Sequence, residues 1–253
     1  MASRGRSNSL ALAAAIGMAA GLCGLGVLSL IYQDTALQWE PVPASWPQHA
    51  VLGALSGLVL LGAGVMMAMS RYRALGAGIA GAFIGLWVLG LHLPKVVAHP
   101  ADLTLWLAVA ECAAMALGGF LLRREMLAGP GTLTDIELRL FGACCVMFGV
   151  SHFAYARFTA GMVPAWLPER LGLAYLTGAI HLGVGLALVA GIRRRWAATA
   201  EALMMTSFVL LVHLPRVAAK PGDRTELTLL FVAVTLTAAA WIVATSRTAL
   251  KGR

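Results

Sequence analysis

Residues 92–104 read HLPKVVAHPADLT, and residues 213–225 read HLPRVAAKPGDRT. Eight of the thirteen aligned positions are identical, at a shift of 121. VPASWP at 42–47 and VPAWLP at 163–168 repeat at that spacing, and Gly26-Val27 and Gly53-Ala54 find partners in Gly149-Val150 and Gly178-Ala179. Two independent blocks at one spacing predict an internal duplication. The expected units are residues 1–125 and 126–253, each a four-helix transmembrane repeat. An even number of helices gives both copies one orientation, so this is not an inverted repeat.

Composition sets the solvent. Of 253 residues, 60% are hydrophobic and 12% charged, about half the charged fraction of a soluble domain. Apolar runs of about 20 residues, long enough to cross a bilayer, recur along the chain. The fold class expected is an all-α integral membrane protein of about eight transmembrane helices, near 9–31, 49–69, 74–94, 102–122, 137–157, 171–192, 197–217 and 226–246. The basic start and apolar run at the N-terminus have the look of a signal peptide. Its counterpart in mid-chain argues for a retained helix instead.

Of nineteen Lys and Arg, six (Lys95, Arg157, Arg170, Arg216, Lys220 and Arg224) fall on one side of these helices and thirteen on the other. The richer side should be cytoplasmic, with both termini there. The net charge of +8 therefore sits at helix ends facing lipid. No basic stripe interleaved with aromatics points to nucleic acid. The four cysteines lie inside apolar runs, with no C-x-x-C, and read as small buried residues. Cys144 and Cys145 are the one candidate redox pair, and vicinal disulfides are strained.

In the shared motif, Pro94 and Pro215 are expected to end a helix. Asp102 and Asp223 are placed to cap the next one, which makes a tight extracytoplasmic hairpin. Lys95 and Arg216 stand there to meet lipid phosphates or an anionic ligand. The loops 32–48 and 158–170 carry Trp39, Trp46 and Trp166 and are expected to lie as interfacial lids.

Polar groups inside a bilayer are costly and each one asks for a reason. The second copy holds His152 (near Ser151 and Tyr155), His181, and His213 followed by Arg216. Their matches in the first copy are read as Ser29, Ser56 and His92. At 1.5 Å per residue, His152 and His213 lie roughly 6–8 Å below the outer surface and His181 about 8 Å deeper. A pair of His152 with His213 could ligate a metal ion or haem iron, or hydrogen-bond a quinone carbonyl. The bland reading bonds each histidine to a neighbouring helix. Glu111, matched by Val232, is a candidate proton relay or a neutral hydrogen-bonded acid. No Walker loop, H-E-x-x-H or G-x-S-x-G motif is present, so no motif assigns a reaction.

SHFAYARFTAGMVPAWLPERLGLAYLTGAIHLGVGLALVAG (151–191) and VHLPRVAAKPGDRTELTLLFVA (212–233) resemble the DoxX-like family of bacterial membrane proteins. Its usual unit is a four-helix bundle, so the chain is similar to a tandem version. The resemblance implies a bacterial inner membrane, a redox or quinone setting beside other respiratory proteins, or an accessory role. Three functions follow as expectations. One is a redox- or quinone-linked component with a site in the outer half of the second repeat. The others are a transporter of a small solute or ion, and an assembly subunit without its own site.

Overall fold

The protein is described from a computed structural model. It covers the backbone of residues 2–127 and 131–251, and the side chains of these except residues 2–8, 132, 250 and 251. Arg4, Arg6, Lys251 and Arg253 of the charge count lie outside the described side chains. Among the described residues the chain forms helices and no strands. In lipid a helix satisfies its own backbone, which is why apolar sequence of this length folds this way.

The helices are α1 (Ala2–Tyr32), α2 (His49–Ala68), α3 (Arg73–Ala98), α4 (Leu103–Leu127), α5 (Thr132–Ala154), α6 (Ala156–Met162), α7 (Arg170–Ala190), α8 (Arg194–Ala219), α9 (Arg224–Thr245) and α10 (Arg247–Lys251). Seven of them, α1 to α4 and α7 to α9, are long and apolar enough to cross a membrane. The chain is therefore a membrane protein. Helix α5 differs because Asp135, Glu137 and Arg139 stand in its first turns. Those charges are paired: Arg124 grips Glu137 through Nε and Nη2, and Arg139 and Arg194 both hold Asp135.

Helices α1 and α2 pack together, as do α5 and α7, while α9 lies against α1, α4 and α8. Small residues set these contacts. A Cβ on Gly26 would stand 2.7 Å from the Gly57 carbonyl oxygen, and one on Gly149 2.8 Å from that of Gly178. The α1–α2 and α5–α7 crossings thus use the same glycine-on-carbonyl contact, with Gly57 and Gly178 standing 121 residues apart. Helix α1 meets α9 with Gly17 against Ala238 and Gly21 against Thr235.

The prolines do not stop their helices. Helices α3 and α8 each contain a π-helical turn, Val88–His92 and Val209–His213, and run on to Ala98 and Ala219. The Leu93 and Leu214 amides bond five residues back, to Val88 and Val209. That extra residue drops Pro94 and Pro215 into the first turn of the next α segment, where a missing N–H leaves no bond unmade. Asp223 accepts from the Thr225 and Glu226 amides, and Asp102 from the Thr104 amide and hydroxyl.

Any side chain at Gly26 or Gly149 must push backbone from backbone. Gly26→Val and Gly149→Val should each lower stability by about 1–3 kcal/mol, read as an earlier thermal transition of the detergent-purified protein. Gly62→Ala, where an added methyl meets nothing within 4 Å, should not.

Candidate functional site

The deepest polar contact in the second half joins His181 and Glu201. Nδ1 of His181 lies 2.8 Å from Oε1 of Glu201, with side chains 2% and 1% exposed. His181 precedes Gly191 by ten residues and Glu201 follows it by ten. The antiparallel hairpin of α7 and α8 therefore brings them level, close to the middle of α7.

His152 completes the group. Its ring lies 5.0 Å from that of His181, edge to face, and stacks on Phe208 at 6.2 Å. Phe148 and Phe208 stand against His181 at 5.6 and 6.0 Å. Nδ1 of His152 is 3.0 Å from the Thr177 hydroxyl, which donates to the backbone of α7. Cys145 lies within electrostatic reach of Glu201. The sequence estimate set His181 about 8 Å deeper than His152. The rings meet through the crossing of Gly149 on Gly178; the helix carrying His152 ends at Ala154, breaks at Tyr155 with φ −115 and ψ 34, and is followed by α6.

The other expected residues are placed as follows. Tyr155 marks the break, and its side chain forms no hydrogen bond or ring contact among the described residues. His213 ends the π turn of α8 near Arg216 and Glu226, not beside His152. Arg216 is neutralised by Glu226 through two contacts of 2.7 Å. Glu111 accepts from the Trp39 indole N–H at 2.7 Å. Among the described residues no group of three or more His, Cys, Asp or Glu is placed to hold a metal ion.

The first half holds a different arrangement, built by a loop. Trp46 and Trp166 are half or more exposed, but Trp39 is 3% exposed. The loop turns inward at Leu37–Trp39. The Trp39 carbonyl meets Nε2 of His92 at 2.9 Å, and Glu40 accepts from the Ser56 hydroxyl at 2.6 Å. Asp34 joins His49 at 2.6 Å and Arg224 at 2.7 Å, and Arg224 also donates to the Thr35 carbonyl. A helix of the second half so clamps the loop of the first. Burial pushes Glu40 up to about 7, against the opposing Ser56 bond.

Counted from the two crossing glycines, Gly57 and Gly178, Ser56 falls level with Thr177, Leu60 with His181, Ala80 with Glu201 and Trp87 with Phe208, each 121 residues apart. Ser56 donates to Glu40, whereas the Thr177 hydroxyl donates to its own helix and meets Nδ1 of His152; among the described residues the buried histidine–glutamate pair lies in the second half. Glu201 was not singled out in the sequence because RRRWAATAEALMM reads as a charged helix start. Its level with His181 across the 191–193 turn was the available signal.

The family model described as "Domain of unknown function (DUF8561)" matches residues 141–245, a span that contains His152, His181, Glu201 and Phe208. No curated protein and no solved structure matches the chain.

Removing one partner of a buried pair strands the other. His181→Leu should cost about 3–5 kcal/mol, whereas His181→Leu with Glu201→Ala, which installs the residues of the first half, should recover most of it. Thermal unfolding of the two variants measures the difference.

Glu40 gives a pH signature. The folded protein holds a proton there between about 4.5 and 7 that the unfolded chain releases. Stability should therefore fall as pH rises through that window, by on the order of 3 kcal/mol, and Glu40→Gln should flatten that part of the profile in thermal melts.

Proposed function

We propose that the chain is a tandem pair of four-helix units with eight spans, in which α5 crosses the membrane and is prolonged by α6. In this reading both termini are cytoplasmic, the membrane is a bacterial inner membrane, and the DoxX-like resemblance sets the redox context. The recurrence of the π turn, the proline and the aspartate cap in α3–α4 and α8–α9 supports the tandem reading.

The function we propose is a quinone-linked redox component whose site lies in the second half. One observation carries it: a histidine and a carboxylate, both sequestered from solvent, hydrogen-bonded in mid-helix beside a second histidine and an aromatic face. Intramembrane ionisable groups tend to mark ligand or proton pathways. The aromatic rings fit a flat apolar ring, the histidines can hydrogen-bond its oxygens, and the His181–Glu201 pair can exchange protons with them.

Solvent extracts of the purified protein should yield a quinone, identified by the difference spectrum on borohydride reduction. Duroquinone should bind in equilibrium dialysis and weaken at least tenfold in His181→Ala or Glu201→Ala. A Soret band lost in His152→Ala would replace quinone with haem. A featureless spectrum without quinone or duroquinone binding would overturn the redox reading.

A further inference from the structure

Asp34 is where three helices meet. It follows α1, joins His49 at the start of α2 at 2.6 Å, and joins Arg224 at the start of α9 at 2.7 Å. Arg224 also donates to the Thr35 carbonyl at 2.9 Å and lies 4.9 Å from the centre of the Tyr32 ring. The Asp34, His49 and Arg224 side chains are 32%, 19% and 22% exposed, so water and salt reach this contact.

The loop behind it is sequestered and strained. The Thr35 hydroxyl donates to the Glu40 carbonyl at 2.7 Å, which ties the ionic contact to the buried turn. Gln33, Leu37 and Gln48 hold φ of 47, 51 and 61, a left-handed backbone that residues with a Cβ rarely adopt. Such conformations persist only where the surrounding contacts impose them. Strain within, and a solvent-exposed ionic contact at the rim, let a segment open while the helices around it stay folded.

The loop covers a thiol beside an imidazole. The Trp39 carbonyl accepts from Nε2 of His92 at 2.9 Å and from the Cys112 thiol at 3.4 Å. Sγ of Cys112 stands 3.5 Å from the same Nε2, and both side chains are buried. The Trp39 indole meets Glu111, the residue before Cys112. One loop residue thus engages all three groups. We propose that residues 33–48 are a plug that opens locally, with the Asp34–Arg224 contact as its latch and the Cys112–His92 pair as the site it guards. Closed, the plug holds thiol and imidazole on one carbonyl. Open, it leaves the thiol facing the imidazole, the setting in which thiols become reactive. This guarded site lies in the first half and is independent of the quinone reading.

The test treats the detergent-purified full chain with N-ethylmaleimide and reads modification at each cysteine by mass spectrometry of its peptides. Cys144 and Cys145, buried in the second half, report general loosening. Asp34→Asn and Arg224→Leu should each speed labelling of Cys112 at least fivefold, with Cys144 and Cys145 labelled at the wild-type rate. Raising salt should produce the same selective gain in the wild-type protein, because the latch is ionic and the reagent is uncharged. Unchanged labelling of Cys112 in both variants would overturn the plug, and so would an equal rise at Cys144 and Cys145. Should neither variant fold, the wild-type salt series decides, and no selective gain at Cys112 there overturns the latch.

Discussion

Two glycine-on-carbonyl crossings, Gly26 on Gly57 and Gly149 on Gly178, fix the register on which the polar chemistry of this protein depends. Between helices in lipid the hydrophobic effect gives little preference for one register over another, so close backbone approach decides it. Once Gly149 lies on Gly178, His152, three residues further on, meets Thr177 and its ring reaches that of His181. Placing α7 one turn higher or lower would separate the two imidazoles by about 5 Å. The same crossing in the first half brings Ser56 under the loop that carries Glu40. Local packing of small residues thus sets which polar atoms can meet, well before any hydrogen bond forms.

The π turns act on a second axis. A helix that met proline with ordinary α hydrogen bonding would lose a bond and kink. With one extra residue in the turn, Pro94 and Pro215 begin a new α segment, and His92 and His213 end the wide turn before it. Both histidines are held where the backbone is least regular. In the first half the loop answers His92 with a carbonyl. In the second half the chain between α5 and α7 is spent on α6, which packs on α7, and His213 keeps an unanswered nitrogen.

Much of this was legible in the sequence, for definite reasons. Apolar runs of membrane length gave the helices, and α5 is the one whose charged first turns blur the signal. The aspartate caps follow from spacing alone. His152 and His181 stood out because a histidine in an apolar run is expensive. Other features were hidden. A proline inside a π turn looks the same in sequence as one that ends a helix. Trp39 resembled Trp46 and Trp166, and only the path of the loop separates the buried indole from the exposed ones. Glu201 was masked by the arginines before it. Matching by composition aligned His181 with Ser56, both polar, whereas packing aligned it with Leu60.

The asymmetry between the halves is the most informative feature of the molecule. A buried polar pair is seldom retained for stability, since replacing it by well-packed apolar groups is commonly neutral or favourable. On the tandem reading proposed above, the chain itself carries the apolar alternative, with Leu60 and Ala80 121 positions before His181 and Glu201, and the fold does not need the pair. Among the described residues the half that has it also holds seven of the eight buried polar side-chain atoms without a hydrogen-bond partner. The half that lacks it is closed by its own tryptophan and glutamate. A buried polar pair beside a second histidine and two aromatic rings is therefore the part of the molecule on which the proposed ligand reading rests.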